Sequence, residues 1–399
     1  MKKVLIVGYF WPYRNGSGRV IGLARYLSEF GWQPIILTGP LEQKPPSEFR
    51  FIETDYYCFL GSWIKLLGFN HKKDIGDQFK AKIEKKSSRF KGFLRGFYWL
   101  IQEVAAYPDE NKNWPPFALK AGSELLEREK IEAIISIWPV TSHIIAEQLK
   151  KKYRIPWLAD FPDLWSQNHN YHYTFLRRFF DRKLEKKTLA SAEVLTTVTE
   201  PWKENLKKIH KEKIIYSIPH GFDPETAVLN KKIDLTPEFT ITYTGQIYYK
   251  KQAPQKLITA LKELIDCKVI DPAKVKVRFY GPFKSWLADE IKNAGLENII
   301  KQYGIISKEM AFKKQKESQI LLLFNWEDRK EKGVCPMKIY DYLATRRPVL
   351  ATGGKGSDVV NKILSETGTG VYALEVEDIK LFIYLRRREN IWGTCLRVE

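Results

Sequence analysis

The feature that most constrains this fold is an alternation of short apolar runs with helix-like stretches. The run KVLIVG (3–8) is followed by a turn, the helical pattern VIGLARYLSEF (20–30) and a second apolar run, QPIILT (33–38). Short apolar runs that end near glycine and alternate with helices are typical of buried parallel strands. The sequence therefore predicts an α/β fold with doubly wound parallel sheets.

This alternation stops and restarts near the middle of the chain, which predicts two domains. A polar stretch at 223–238 precedes a second series that contains FTITYTG (239–245) and VKVRFYG (275–281). The 399 residues are enough for two hydrophobic cores. We predict an N-terminal Rossmann-like domain over 1–225 and a C-terminal one over 236–399. Two such domains facing one another place a ligand in the cleft, at the carboxyl ends of the strands.

A basic and aromatic stretch at about 60–105 interrupts the first series. Its apolar residues recur at roughly helical spacing among many lysines and arginines, and they include Phe79, Ile83, Phe90, Leu94, Phe97 and Leu100. Such a helix either lies on anionic lipid or packs on its own domain with a solvated basic face. The sequence leaves both open, and the first makes an anionic membrane surface a predicted partner.

The charge balance and the cysteines limit the class of protein. The 66 lysines and arginines against 47 acidic residues give a formal net charge of +19, which favours anionic partners. The cysteines lack CxxC spacing and nearby histidines, so neither a zinc site nor a disulfide framework is expected. No run of about 18 apolar residues occurs, and the N-terminus fits a buried strand better than a signal peptide. We expect a cytoplasmic protein, with or without attachment to a membrane surface.

The segment KGVCPMKIYDYLATRRPVLATGG (332–354) is the most informative for function. It predicts a helix with Pro336 in its first turn, then a short strand that ends in glycines. Lys338 and Asp341 share one edge of that helix. A carboxylate can accept hydrogen bonds from ribose hydroxyls, and a lysine can meet phosphate, so the segment suits a nucleotide. The alternative is a surface-charged helix packed on a sheet.

Glycine turns follow the first strand of each series. Gly16-Ser17-Gly18 lies between the first strand and the first helix, and Gly245 is followed closely by Lys250 and Lys251. Glycine lets the backbone approach a phosphate, and a nearby lysine can neutralise a diphosphate. A simple tight turn and a solvated lysine pair are the respective alternatives. The GxGxxG pattern is missing, which disfavours a dinucleotide-dependent oxidoreductase.

Two carboxylates and a histidine follow strands of the first series. Asp160 and Asp163 lie in ADFPDLW, at the end of a predicted strand, where they suit recognition of sugar hydroxyls. His143 begins a helix after another strand and can bind a phosphate or a hydroxyl. We name these three as candidate catalytic residues. The alternatives are an Asx turn with a helix cap at Asp163 and a structural role for His143.

Taken together, these segments resemble the nucleotide-sugar-dependent glycosyltransferases of the GT-B fold, in particular family 4. The resemblance covers nearly the whole chain and rests on VLIVGYFWPYRNGSG (4–18), PDENKNWPP (108–116), SIWPVTSH (136–143), ADFPDLW (159–165), IPHGFD (218–223), YTGQIYYKK (243–251), FYG (279–281) and PMKIYDYLATRRPVLA (336–351). The chain departs from the family at His220, where asparagine is usual, and at Pro162, where arginine is common. Gly333 and Asp341 stand where the family has paired glutamates.

The resemblance implies two Rossmann-like domains that face across a cleft, with a nucleoside diphosphate-sugar held mainly by the C-terminal domain. It implies that Asp341 contacts the ribose, that Lys250 or Lys251 lies near the diphosphate, and that the first glycine turn meets donor phosphates or acceptor. The predicted donor-binding residues are Gly245, Lys250, Lys251, Lys338, Asp341, Gly16, Ser17 and Gly18. No metal or other cofactor is expected, since family members usually need none and retain the anomeric configuration.

We therefore predict a peripheral glycosyltransferase at the inner face of the membrane that acts in cell-surface glycan synthesis. It would move a sugar from a nucleoside diphosphate-sugar to a lipid-linked or polysaccharide acceptor. A GT-B nucleotide-sugar epimerase, which releases an altered sugar without an acceptor, is the alternative enzyme. A non-catalytic nucleic-acid-binding protein is the alternative of another class. Because the basic residues match no known reading module, we predict no nucleic acid partner.

Overall fold

The chain divides into two compact units, Met1–Ile218 and Pro219–Glu399. The computed structural model describes residues 1–9, 17–41, 48–56, 103, 107–168, 171, 173–224, 233–327, 333–354 and 358–388. The predicted basic stretch at 60–105, apart from Glu103, and Gly16 lie outside these residues. Within the described ranges, no helix combines the length and the apolar character needed to cross a bilayer.

The first unit contains a seven-stranded parallel sheet with the order β3-β2-β1-β4-β5-β6-β7. Its strands are β1 (Lys2–Val7), β2 (Trp32–Thr38), β3 (Arg50–Glu53), β4 (Ala133–Ile137), β5 (Trp157–Phe161), β6 (Val194–Thr197) and β7 (Ile214–Ser217). Its helices are α1 (Ser17–Leu27), α2 (Pro115–Arg128), α3 (Val140–Tyr153), α4 (Phe175–Leu189) and α5 (Glu200–Ile209), with a 3₁₀ turn at Ser28–Phe30. The strand order reverses between β1 and β4, which is where doubly wound sheets open a crevice.

The second unit contains a six-stranded parallel sheet with the order β10-β9-β8-β11-β12-β13. Its strands are β8 (Phe239–Thr244), β9 (Val275–Tyr280), β10 (Ile300–Gly304), β11 (Ile320–Phe324), β12 (Val349–Thr352) and β13 (Gly370–Ala373). Its helices are α6 (Gln255–Asp266), α7 (Ser285–Asn293), α8 (Lys308–Lys316), α9 (Lys338–Thr345), α10 (Asp358–Thr367) and α11 (Val376–Arg388), with a 3₁₀ turn at Pro272–Lys274. Here the order reverses between β8 and β11.

The two strands at this reversal part towards their carboxyl ends. Strand β11 pairs with β8 only at two positions near its start, whereas β9 pairs with β8 along all of its length. Beyond the paired positions the buried Tyr342 of α9 connects the strands. Its hydroxyl accepts a hydrogen bond from the Thr244 N–H at 3.4 Å and donates one to the Leu322 carbonyl at 3.1 Å. The start of α9 is thereby fixed at the opening of the second sheet.

The α/β class with two doubly wound parallel sheets is confirmed. The first turn of α9 differs from the expectation, because the helix begins at Lys338 and Met337 is its N-cap. Pro336 therefore precedes the helix, and its carbonyl accepts a hydrogen bond from the Ile339 N–H at 3.0 Å. Strand β3 and helix α5 were not predicted.

Candidate functional site

Three strand ends of the second sheet are joined through glycines. The N–H of Gly245, after β8, donates to the carbonyl of Tyr280 at 2.7 Å, and the N–H of Gly281, after β9, donates to that of Gly304 at 2.9 Å. A Cβ atom on Gly281 would lie 2.1 Å from the carbonyl oxygen of Gly245, a distance that no side chain tolerates. Gly245 itself has φ +123°, a backbone conformation that glycine adopts readily. The strand ends therefore form one close-packed backbone edge.

The ammonium group of Lys338 lies against this edge. A Cβ atom on Gly245 would be 2.7 Å from Lys338 Nζ. Lys338 Nζ donates to the Tyr243 hydroxyl at 2.7 Å and lies 4.0 Å from the centre of that ring. Burial lowers the pKa of Lys338 to about 7, and the charge of Asp341 opposes this shift. Lys338 forms no salt bridge with any residue that the structure describes, so the site holds a desolvated amine without a paired carboxylate.

Asp341 lies one helical turn beyond Lys338 and is half-buried. Burial raises the pKa of Asp341, while the nearby charges of Lys308 and Lys338 act in the opposite direction. Its carboxylate accepts no hydrogen bond from the described part of the chain. The structure thus places Lys338 against Gly245 at the switch point of one sheet, with Asp341 one helical turn further along α9. Binding of a donor by these residues stays a prediction.

The loop after Gly245 is held to the end of β11 by Gln252. The side-chain amide of Gln252 donates to the Phe324 carbonyl at 3.0 Å, and its oxygen accepts from the Tyr248 N–H at 3.1 Å. The ring of Tyr248 stacks on Trp326 with centroids 5.4 Å apart. The loop between β8 and α6 is therefore anchored across the strand reversal.

Lys250 and Lys251, which the sequence places near a diphosphate, lie in this loop. Lys251 Nζ is 4.6 Å from the ring centre of Trp326, and Lys250 Nζ is 5.4 Å from that of Tyr249. Lys250 has φ +59°. Both cations lie beside aromatic rings next to the Gly245 edge, and their contact with a donor stays a prediction.

Glu327, shortly after β11, was not among the sequence candidates. Its Oε1 atom is buried without a hydrogen-bond partner among the described residues. A Cβ atom on Gly353, after β12, would be 3.2 Å from this oxygen. A buried carboxylate oxygen without a donor is costly, so such an atom often marks a site that a ligand completes. The acidic residues Glu327 and Asp328, which follow Trp326 after the run QILLLFN (319–325), were the available signal.

Exposed apolar side chains at the ends of β9 and β10 were also missed. Phe283 follows β9, Ile305 follows β10, and all of Phe283, Tyr303 and Ile305 are exposed. The rings of Tyr280 and Tyr303 stack with centroids 5.1 Å apart. These residues place exposed apolar side chains at the same edge of the sheet as Gly245.

In the first unit, Asp160 is fully engaged within the protein. Its two carboxylate oxygens accept hydrogen bonds from Arg19 of α1 at 2.7 and 2.8 Å, and the Thr196 hydroxyl donates to it at 2.6 Å. Arg19 also donates to the Ile218 carbonyl at 2.9 Å. This geometry connects the first turn of α1 to the ends of β5 and β6. A catalytic role for Asp160 stays a prediction.

Asp163 lies in the loop after β5 and differs in its surroundings. Burial raises the pKa of Asp163 to about 6. The side chain is half-buried and accepts no hydrogen bond from the described part of the chain. Its carboxyl group therefore titrates close to neutral pH and keeps its hydrogen-bonding capacity free.

His143, in the first turn of α3, is fully buried. Its Nδ1 is 2.7 Å from the Ser136 hydroxyl, which also accepts a hydrogen bond from the Trp157 indole at 2.7 Å. The imidazole stacks on Phe161 at 4.5 Å, while its Nε2 has no partner among the described residues. Burial lowers the pKa of His143 to about 3, so the ring is neutral. The structure gives His143 a packing role, and a catalytic role stays a prediction.

The first glycine turn is described only in part. Ser17 is the first residue of α1, and Gly18 is exposed in its first turn, while Gly16 lies outside the described residues. Among the residues that are described, no group of three or more histidine, cysteine or acidic side chains is placed to hold a metal ion.

Comparison with solved structures gives matches over nearly the whole chain at low sequence identity. Sucrose-phosphate synthase from Thermosynechococcus elongatus is 12% identical, with a TM-score of 0.56, over 98% of this chain and 90% of that one. A TarM mutant from S. aureus, whose structure contains UDP and α-GlcNAc-glycerol, is 11% identical, with a TM-score of 0.53, over 98% and 94%. A Listeria monocytogenes protein assigned as a UDP-N-acetylglucosamine 2-epimerase is 10% identical, with a TM-score of 0.52, over 98% and 89%.

No family model and no curated protein matches the sequence. The structural neighbours include glycosyltransferases of the GT-B fold. At such low identity the likeness shows the fold alone, and this chain has the two Rossmann-like domains of that fold. Membership of family 4 stays a prediction.

Proposed function

We propose that this chain is a family 4-like glycosyltransferase that takes its sugar from a nucleoside diphosphate-sugar. The observation that carries the proposal is the contact between Lys338 and the Gly245 edge, at the switch point of the second sheet. A desolvated amine that no described carboxylate pairs with, next to closely packed strand-end backbone, is suited to an incoming diphosphate.

The groups around this amine match the remaining parts of such a donor. Asp341 accepts hydrogen bonds from the ribose hydroxyls, and the apolar area that includes Phe283 and Tyr303 packs against the base. The unpartnered oxygen of Glu327 accepts a hydrogen bond from a hydroxyl of the transferred sugar. This assignment gives the carboxylates of Asp341 and Glu327 hydrogen-bond partners on the ligand.

The reaction breaks the bond between the anomeric carbon and the diphosphate oxygen and forms a bond between that carbon and the acceptor oxygen. The proton of the acceptor hydroxyl leaves with the diphosphate. Positive charge at Lys338 stabilises the negative charge that develops on the leaving diphosphate. In the first unit, Asp163 accepts a hydrogen bond from the acceptor hydroxyl, while Asp160 keeps α1 in place through Arg19. No cofactor enters this scheme, because the nucleotide-sugar is itself a substrate and protein cations supply the charge.

The acceptor class, stereochemistry and location rest on the family resemblance. We propose a lipid-linked or polysaccharide acceptor, retention of the anomeric configuration, and action at the inner face of a membrane in cell-surface glycan synthesis. The TarM structure named above contains UDP and α-GlcNAc-glycerol, which is consistent with such a donor and acceptor in a protein of this fold.

Thermal unfolding with a panel of nucleotide-sugars tests the proposal, because a ligand that binds the folded state raises its melting temperature. We expect one nucleotide-sugar to raise the melting temperature of the wild type, and Lys338→Met and Asp341→Ala to abolish the shift. Lys313→Met, which removes an exposed lysine of α8, is the matched control and should keep it. Unchanged donor affinity of Asp341→Ala by calorimetry would reject the ribose assignment.

The epimerase alternative is separated by product analysis. A GT-B epimerase converts the sugar of the bound donor and releases it when no acceptor is present. Incubation of the identified donor with the protein alone, followed by chromatography of the products, distinguishes the two. Formation of an altered free sugar or of an epimerised donor would show that the protein is an epimerase and would reject glycosyl transfer as its function.

A further inference from the structure

Helix α4 is inverted, with charged residues inside and aromatic residues outside. Its buried residues are Arg177, Asp181, Glu185, Thr188 and Leu189, so the inward side of its first three turns is charged. Arg177 Nε donates to Asp181 at 3.0 Å, and Glu185 accepts from the Ser166 N–H at 3.1 Å and lies 3.2 Å from His210 Nε2. The inward face of α4 is therefore a network of charged and polar partners.

Further contacts of Arg177 fix the rotation of the helix. Its guanidinium donates to the Glu103 carbonyl and, at 2.9 Å, to the Pro108 carbonyl. The same group lies between the rings of Tyr107 and Tyr173, at 4.6 and 4.5 Å from their centres. Turning the apolar side of α4 inward would leave these buried charges without partners, which is strongly unfavourable.

The opposite side of α4 faces outward, and we call it the outer face. In its first two turns it presents four exposed apolar side chains, Phe175, Leu176, Phe179 and Phe180, of which Phe175 is 87% exposed and Phe179 63%. In its last two turns it presents four exposed cations, Arg182, Lys183, Lys186 and Lys187. None of these four forms a salt bridge with a described residue, and both acidic side chains of the helix are buried.

We propose that the outer face of α4 docks on an anionic lipid bilayer. Aromatic and aliphatic side chains that enter the boundary of the acyl chains, next to cations at the level of the head groups, define an interfacial helix. The positive charge of the outer face favours anionic lipid over two other occupants, a second copy of the chain and the chain's own segment 57–102. A second copy of the same face would place cations against cations. The chain's own segment 57–102 has ten lysines and arginines against three acidic residues, so it is also repelled.

This surface is distinct from the predicted basic stretch at 60–105, and it extends the proposed function by naming a described element that would hold the protein at a membrane. Lipid binding requires neither donor nor turnover, so the inference and the proposed activity fail separately. A chain that binds lipid without transferring sugar would disprove only the activity.

Co-sedimentation of the full chain with vesicles of phosphatidylcholine, with or without phosphatidylglycerol, provides the test. We expect binding to the anionic vesicles only. Phe175→Ser/Phe179→Ser should weaken binding by at least about tenfold, because each buried aromatic side chain contributes about that factor. Lys183→Glu/Lys187→Glu should also weaken it, since electrostatic attraction to anionic lipid is lost. Phe30→Ser, at an exposed phenylalanine of the first unit, and Lys211→Glu are matched controls that should bind as the wild type does.

Hydrogen exchange on vesicles gives a second measurement, in which the amides of α4 should become protected when lipid is added. Unchanged vesicle binding of both double variants would overturn the proposal. A concentration-dependent dimer that the aromatic variants abolish would also overturn the proposal, because a second copy of the chain would then cover the outer face of α4. A fall in the melting temperature of the aromatic variants with unchanged lipid binding would show that the chain covers the face itself, and would overturn it as well.

Discussion

Lys338 Nζ donates a hydrogen bond to the Tyr243 hydroxyl at 2.7 Å while lying 4.0 Å from the centre of the same ring. The lysine thus reaches both the hydroxyl and the π face of one buried tyrosine. The Tyr243 hydroxyl in turn donates to the Gln246 carbonyl at 2.8 Å. Among the described residues its hydrogen-bond partner is neutral, so the amine is positioned without being paired, and burial lowers its pKa to about 7 against the opposing charge of Asp341. The proposed donor supplies the missing negative charge.

Donor affinity should therefore fall as the pH rises above 7. A bound diphosphate favours the charged amine and raises the pKa of Lys338, so binding takes up a proton wherever the free amine is neutral. Above pH 7 the affinity should drop by up to about tenfold per pH unit. Calorimetry in two buffers of different ionisation enthalpy measures both the affinity and the proton uptake.

Lys338→Arg provides the control for this pH dependence, because arginine stays protonated throughout the range. If this variant binds the donor, its affinity should be flat with pH where that of the wild type falls. An equal slope in wild type and variant would show that another group causes the proton uptake.

Lys338→Met should raise the free energy of unfolding at neutral pH. An unfolded lysine titrates near pH 10.4, and the pKa of Lys338 in the folded chain is about 7. Below pH 7 the Lys338 amine is protonated in both the folded and the unfolded chain, so the folded chain bears the full cost of the buried charge. This cost declines as the pH rises above 7, because the folded chain loses the proton first. We expect a gain of at least about 1 kcal/mol at pH 7, since one pKa unit corresponds to about 1.4 kcal/mol.

Urea denaturation of the wild type and Lys338→Met over a range of pH measures this gain. The difference should be largest at pH 7 and below, and should disappear only above about pH 11, where the wild-type amine is neutral in both the folded and the unfolded state. Lys313→Met, at an exposed lysine, should change the stability little. A less stable Lys338→Met would show that the contacts with Tyr243 outweigh the cost of burying the charge.

The fold could be predicted from sequence wherever burial leaves a continuous apolar run. Strand β11, with all five residues buried, has that signature. Strand β3 does not, because its four residues are exposed or half-buried at the edge of the sheet. Helix α5 was not predicted because its ten residues bury only Trp202, Leu206 and Ile209, and because a proline lies in its first turn.

The candidate site was predictable to the extent that topology determines it. Gly245 and Lys338 are far apart in sequence, yet both belong to elements at the strand reversal, and doubly wound sheets bring those together. The pairing of Arg19 with Asp160, 141 residues apart, has no local signal. The sequence also carries no signal for the inversion of α4. Its apolar and its charged residues both recur at helical spacing, so the pattern does not show which side of the helix is buried.

Gly281→Ala should destabilise the second unit and abolish the donor-induced thermal shift. The added Cβ would lie 2.1 Å from the Gly245 carbonyl oxygen, so the ends of β8 and β9 must separate. We expect a loss of at least about 2 kcal/mol, in the range of overpacked sites. Gly22→Ala, in α1, is the control, since a Cβ there meets nothing within 4 Å. Equal melting temperatures of Gly281→Ala and wild type would contradict the close packing of these strand ends.

Asp163→Asn should be more stable than the wild type at pH 7 and indistinguishable from it at about pH 3. The pKa of Asp163 is about 6 in the folded chain, against about 3.9 when unfolded. Between these values the folded state binds more protons, so the wild type loses stability as the pH rises. Urea denaturation at several pH values measures the difference. A constant difference across this range would mean that Asp163 ionises normally.

Substituting Arg19 alone should lower the free energy of unfolding far more than substituting both residues of the Arg19–Asp160 ion pair. Arg19→Met removes the two bonds at 2.7 and 2.8 Å and leaves the buried Asp160 carboxylate with the Thr196 hydroxyl as its remaining described donor. An uncompensated buried charge costs about 3 kcal/mol or more. Arg19→Met/Asp160→Asn removes the charge as well, so the double variant should be more stable than Arg19→Met alone. A double-mutant cycle by urea denaturation measures this coupling. Additive losses would show that the two residues act independently, and Asp160 would then have no part in positioning α1.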